Sequence, residues 1–419
     1  MNRFFASLLI FLLLIVVERR DALSQVRGWN PNSVEIYLHT VEVGDLIFNN
    51  FGHTALRLYD PKTGRDLIYN WGIFDFGDPV TFSLKFYSGV LDYQLGIYRT
   101  SSSIMRYKRE GRTVWEDRLL LTQEETIRLL ERLDWNSKRE NRVYDYDYFF
   151  DNCSTKPRDY FEEALGGGLK ESSEAIMTGK TFRDMVRSHY RSVPFVEVGL
   201  EVFMNGRLER EMTLWQQMFL PKTLRQVLLD YRRPDGSPIM KPSRTIVEFD
   251  PPVPYPVSGQ VLWSTPLLVF LLFCISKLKT AHISKRFRIC LGVSGCLYFF
   301  ITGLIGVLLP LNWALSEHLD LHANWNSSVI WPIQFLWIVL FYGILFGKVK
   351  VIIAKRFFEL YLKCYVSLGL IAFLLWFMGV IEQDISYVLA AFLPVTIGFM
   401  YVGLKALNCQ VNDEPELLL

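Results

Sequence analysis

Beyond residue 258 the chain carries five apolar runs, each long enough to cross or nearly cross a bilayer, and this restricts the folds open to it. The runs are roughly Val261 to Ser276, Ile289 to Leu311, Val329 to Phe346, Leu360 to Ile381 and Tyr387 to Leu404. Backbone inside hydrocarbon must satisfy its own N–H and C=O groups, so the runs are predicted to be helices. The connections between them set the orientation. Lys277, Lys279, Lys285, Arg286 and Arg288 fill the first connection, and Lys348, Lys350, Lys355 and Arg356 fill the third. The second, Asn312 to Ser328, and the fourth, Glu382 to Ser386, contain no Lys or Arg. Basic connections remain in the cytoplasm, which puts 25–250 outside together with the second and fourth connections.

Further boundaries follow from composition. Phe4 to Val17 is a short apolar run behind Arg3, read as a signal peptide or membrane anchor over 1–22, with removal and retention both open. An extracytoplasmic domain is expected over 23–248, a Pro-rich linker over 249–258, a helical membrane domain over 259–407 and a cytoplasmic tail over 408–419. Four prolines within Pro251 to Pro256 favour either an extended, semi-rigid spacer or a plain linker. A net charge of +2 gives no reason to expect a nucleic-acid partner.

The extracytoplasmic part reads as α+β. Ser33 to Leu38, Asp45 to Phe48, Thr54 to Tyr59 and Asp66 to Trp71 are strand-like segments separated by turn signals such as Asp60-Pro61-Lys62-Thr63-Gly64. Helical patterns dominate after Thr122, where Thr122 and Glu125 form a capping box.

Two residues in this part point to chemistry. Cys153 is the only cysteine among the first 273 residues, so no partner for an internal disulfide exists in that domain. It sits in Asp-Asn-Cys-Ser-Thr just ahead of a helical pattern, where the helix N-terminus favours thiolate and offers amides for an oxyanion. His53 opens a strand in which His53, Ala55 and Arg57 share a face. A turn at Pro61 to Gly64 returns the chain as a second strand, bringing Asn70 beside His53 to hold the ring; Asp75 is the other candidate for that task. Asn152 and Ser154 are expected to support the turn or the oxyanion. The bland alternatives are a strand-capping histidine and a buried apolar cysteine. The other five cysteines lie in or beside apolar runs and read as packing.

These residues carry a resemblance. Gly44-Asp45-Leu46-Ile47-Phe48, then His53 in a strand, then Asn152-Cys153 opening a helix resembles the circularly permuted branch of the NlpC/P60 papain-like superfamily, in which His precedes Cys and which includes lecithin:retinol acyltransferases. More closely, Phe51 to Leu58, Asn70 to Phe76, Tyr146 to Thr155 and Trp215 to Pro221 resemble the bacterial lipoprotein N-acyltransferase family Lnb, with His318, Asn324, Asn326 and Pro332 at the family's spacing in the membrane half. The resemblance implies a permuted NlpC/P60 domain followed by about five membrane helices in the cytoplasmic membrane. It also implies a thiol acyltransferase whose partners are a phospholipid donor and a diacylglyceryl lipoprotein acceptor. No cofactor is required, because a thioester is reactive enough to acylate an amine. Many members of the permuted superfamily have a second His where this chain has Asn70. A hydrolase with the same dyad, acting on cell-wall peptide or phospholipid, and a non-enzymatic membrane scaffold are the alternative readings.

The 312–328 connection crowds Glu317, His318, Asp320, His322, Asn324 and Asn326 into a loop without a basic residue. Its spacing matches no zinc pattern, and no metal is expected. Recognition of a substrate, by His318, Asn324 and Asn326, and capping of the adjoining helices both remain open.

Overall fold

Strands whose side chains alternate between two covered faces organise the first half of the chain. The computed structural model describes residues 28–44, 49–74, 78–90, 92–279, 282–346, 352–407 and 409–412. The regular elements of this half are β1 (Glu35–Val41), β2 (His53–Asp60), β3 (Arg65–Ile73), α1 (Pro79–Ser88), β4 (Asp92–Arg99), α2 (Thr100–Arg109), β5 (Val114–Leu119), α3 (Gln123–Ser137), β6 (Val143–Asp145), α4 (Thr155–Leu165), α5 (Leu169–Glu174), β7 (Met177–Thr181), α6 (Phe182–His189), α7 (Pro194–Phe203), β8 (Glu211–Thr213), α8 (Leu214–Gln217), α9 (Pro221–Asp230) and β9 (Met240–Val247). Seven strands form one antiparallel sheet in the order β6-β4-β3-β2-β1-β5-β9. Leu38, Leu56, Tyr69 and Trp71 fall on one face and bury against Leu129 and Leu133 of α3, Tyr160 and Phe161 of α4, and Leu224 of α9. On the other face Val41 and Val114 pack with Tyr107 of α2. The Thr122 capping box opens α3 as expected, and Gly166, at φ 75°, closes α4 with a left-handed residue that a side chain would strain.

The chain divides into two compact units, and their boundary departs from the single 23–248 domain expected from composition. One unit runs to Lys180 and resumes over Glu211–Val253; the other joins Thr181–Arg210 to Pro254–Leu419. The physical reason lies in the polarity of the excursion. Arg187 reaches Asp384 at 2.8 Å, while Asn324 and Asn326 donate to the last carbonyls of α7. These bonds tie α6 and α7 to the membrane helices.

In the second unit α10 (Gly259–Lys277), α11 (Lys285–Leu315), α12 (Leu336–Phe346), α13 (Ile352–Phe377) and α14 (Ser386–Ala406) follow the five apolar runs. Four described helices are long and apolar enough to cross a membrane. The third run differs: its 11-residue α12 spans only about 16 Å, and Pro332–Phe346, which contains it, reaches crossing length only together with Leu319–Ser328, from which it is bent by 56°. Glycines on α11 let this broken segment approach closely. A Cβ on Gly295 would stand 2.0 Å from the ring of Phe341, and one on Gly306 would stand 2.4 Å from the backbone of Trp331. Phe299, Trp337, Phe341 and Phe399 fill the centre. Gln410–Asn412, within the expected tail, pairs in parallel with His282–Ser284. Residues 249–258 adopt no regular structure. The expected 1–22 segment and the strand at 45–48 lie outside the described residues.

Candidate active site

Strand register places the first pair of expected residues together. Ala55 pairs with Asn70 across β2 and β3, so His53, two residues earlier on the same face, has Asn70 as its diagonal neighbour. His53 Nε2 lies 3.1 Å from Asn70 Oδ1. An amide oxygen only accepts, so this bond selects the Nε2–H tautomer and leaves Nδ1 as the free base. The Tyr107 hydroxyl donates to the same oxygen at 3.2 Å, and its ring lies 6.3 Å from the imidazole. Gly52 allows the strand to begin here: its φ is +82°, and a Cβ would meet the Val41 carbonyl at 2.7 Å.

Cys153 comes to the same end of the sheet by a separate route. The register of β3 against β4 shifts between Asn70 and Ile73, and at Gly72 a Cβ would contact Cys153 Cβ at 3.8 Å and the Tyr146 ring at 3.9 Å. Thr54, the residue after His53, bonds through its hydroxyl to Ser154 at 3.4 Å. The turn carrying the thiol is held from within. Asn152 Oδ1 accepts from the amides of Ser154 and Thr155 at 2.7 and 2.9 Å, its Nδ2 donates to the carbonyls of Tyr148 and Phe219, and Ser154 Oγ donates to Met218 O.

This bonding corrects one expectation. Asn152 occupies the first amides of the turn, so the Ser154 and Thr155 N–H groups are not available to an oxyanion, and Asn152 and Ser154 act here as supports. Thiolate is not favoured either. Burial pushes the Cys153 thiol above its ordinary value, outweighing the Thr54 backbone, the Arg112 cation and the Cys153 amide, all of which pull it down. Burial, followed by the Arg112 and Arg106 cations, drives His53 down to about 3, against the opposing Asn70 bond. The resting pair is therefore a neutral thiol and a neutral imidazole. Asp75 lies outside the described residues.

Arg112 and Tyr107 were not visible as site residues in the sequence. Arg112 is buried, donates through Nε to the Glu42 carbonyl at 2.8 Å and through Nη1 to Glu110 at 3.0 Å, and stands over the Tyr107 ring. Only the register of β1, which sets Glu42 beside the pair Val41 and His53, reveals it. The remaining outer histidines lie elsewhere. His39 is buried against Glu116 at 2.8 Å, and His189 belongs to the second unit.

In the membrane unit the side-chain NH2 groups of Asn324 and Asn326 donate within the protein. Asn324 Nδ2 donates to the carbonyls of Val202 and Phe203, and its Oδ1 accepts from Asn326 N and Gln383 Nε2. Asn326 Nδ2 donates to the carbonyls of Glu201 and Val202. Both side chains are buried and cap the C-terminus of α7. His318 is half-buried, with its amide on Ser316 Oγ.

Two family models match the chain: the Lnb N-terminal periplasmic domain over 25–188 and the Lnb transmembrane domain over 258–406. The chain belongs to the Lnb family. Between them the matches cover most of its length, and they identify a multi-pass membrane protein with a periplasmic domain. Neither a curated protein nor a solved structure matches it at a significant level. Cys153, His53 and Asn70 all fall within the span of the Lnb periplasmic domain.

Proposed function

We propose that this Lnb protein is a lipoprotein N-acyltransferase that carries the acyl group as a thioester on Cys153. The observation that supports it most is the convergence of Cys153 with the His53–Asn70 pair at one end of the sheet, in a chain of this family. The neutral resting pair defines the chemistry. As sulfur attacks the ester carbonyl of a phospholipid, the thiol proton passes to His53 Nδ1, and Asn70 stabilises the imidazolium that forms. The C–O bond then breaks, and the glycerol oxygen leaves with that proton as a lysophospholipid. In the second half the free α-amine of a diacylglyceryl lipoprotein attacks the thioester and gives its proton to His53. The C–S bond breaks, and the sulfur recovers the proton.

A hydrolase would run the same first half with water as acceptor. Incubating the full-length protein with phospholipid alone separates the two. The transferase reading expects an acyl adduct on the Cys153 peptide, released by hydroxylamine, that persists until an amine acceptor is added. Rapid release of free fatty acid without acceptor would favour the hydrolase, and absence of any adduct on Cys153 would remove the nucleophile.

A further inference from the structure

The polarity of α7 is reversed from that of a helix facing water. Its only charged side chains, Glu197 and Glu201, are each 2% exposed, whereas Phe195 is 80% exposed. Glu201 bonds to Arg183 and Arg187, and Glu197 accepts from the Gly259 amide at 3.0 Å. Val198, Val202 and Phe203 pack into the second unit's core. At 100° per residue the remaining arc holds Phe195, Val196, Gly199 and Leu200, with no polar side chain, and all four are partly or fully exposed. In water this arrangement would spend two buried carboxylates while hydrating a phenylalanine, the opposite of what burial energetics favour.

The ends of α7 fix where that arc lies. At its start the Pro194 carbonyl abuts Gly259, the first residue of the first crossing helix, so closely that a Cβ there would stand 2.0 Å from it. At its end Asn324 and Asn326, on the periplasmic connection between two crossing segments, hold the last carbonyls. Both anchor points are periplasmic ends of the membrane segments. Ten residues cover about 15 Å, half of a hydrocarbon core, so α7 cannot itself cross. Trp313 and Trp325, both well exposed, sit on the same periplasmic connections, where interfacial aromatics gather.

We infer that α7 is an in-plane membrane helix, lying across the periplasmic ends of the crossing helices with Phe195, Val196, Gly199 and Leu200 against outer-leaflet lipid. The buried ion pairs of Glu201 and the Asn324–Asn326 caps hold it there, which gives those polar residues a task independent of catalysis.

The test places a photoreactive benzophenone side chain at position 195 or 200 of the full chain in native membranes, with position 269 in the first crossing helix as the lipid-facing reference. A Cys153→Ser background makes the result independent of the proposed activity. Phospholipid adducts at 195 and 200, as at 269, are expected on illumination. Lipid adducts at 269 alone, or crosslinks from 195 and 200 to a second copy of the chain, would overturn the inference.

Discussion

Alkylation of Cys153 as a function of pH tests the neutral resting pair. With the His53 imidazole at about 3 and the thiol above its ordinary 9.0, moving the proton from sulfur to nitrogen crosses at least six pKa steps, about 8 kcal/mol. So large a cost keeps the ion pair a negligible fraction of the resting enzyme. The free enzyme therefore reacts through a small thiolate fraction that grows with pH, and its rate should rise about tenfold per pH unit between 6 and 8. The assay is a time course with a charged thiol reagent on the full-length protein in lipid nanodiscs, read by mass spectrometry of the Cys153 peptide. His53→Gln should change this small-reagent rate little, since the imidazolium is not the resting counter-ion. A rate that is flat from pH 4 to 8 and collapses in His53→Gln would mean a preformed thiolate–imidazolium pair and would refute the burial argument.

Three further outcomes follow. Asn70→Ala removes the acceptor shared by His53 and Tyr107, and losing a hydrogen bond to a charged imidazolium at ~1.5–3 kcal/mol should cut kcat for transfer by about 10- to 100-fold, with the slope of Cys153 alkylation against pH unchanged. Gly52→Ala forces a side chain into a positive φ and against the Val41 carbonyl, so it should lower both the thermal midpoint and transfer; wild-type values for both would show that the strand start adapts freely. Asn324→Ala leaves buried groups of Val202, Phe203, Gln383 and Asn326 without their partner and should destabilise the detergent-solubilised chain by about 2–4 kcal/mol, measured by thermal unfolding, while the alkylation rate of Cys153 stays within about twofold. A change in KM for the lipoprotein with unaltered stability would support a recognition role for Asn324.

Much of this architecture was legible because it rests on short-range rules. Alternation from His53 to Leu58 and from Asp66 to Trp71, with a turn signal between, is enough to set Asn70 beside His53, and the structure has that bond. The apolar runs after residue 258 likewise marked the membrane unit. What escaped depends on long-range contacts. The ownership of 181–210 is decided by ion pairs to Asp384 and amide bonds to Asn324 and Asn326, more than 100 residues away, which leave no periodic trace. Arg112 enters the site through one backbone carbonyl whose position only the sheet register fixes. The thiolate expectation failed because burial outweighs the groups that favour the anion, and the oxyanion amides expected at a helix N-terminus are taken in part by Asn152, immediately before Cys153. The third apolar run reads from sequence as one helix, yet only Leu336–Phe346 of it forms an α-helix, seated against the glycine stripe of α11, and it needs the preceding connection to reach crossing length.

Mass spectrometry of a lipoprotein N-terminus is the most direct measurement. Cells lacking the protein are supplied with either the wild-type chain or Cys153→Ser at equal membrane abundance, and the N-terminal peptide of an abundant lipoprotein is weighed. Proposed transfer through Cys153 predicts a peptide heavier by one acyl chain on its α-amine with the wild type, and a free α-amine with Cys153→Ser. N-acylated peptide in the Cys153→Ser cells, or a free amine in both, would contradict it.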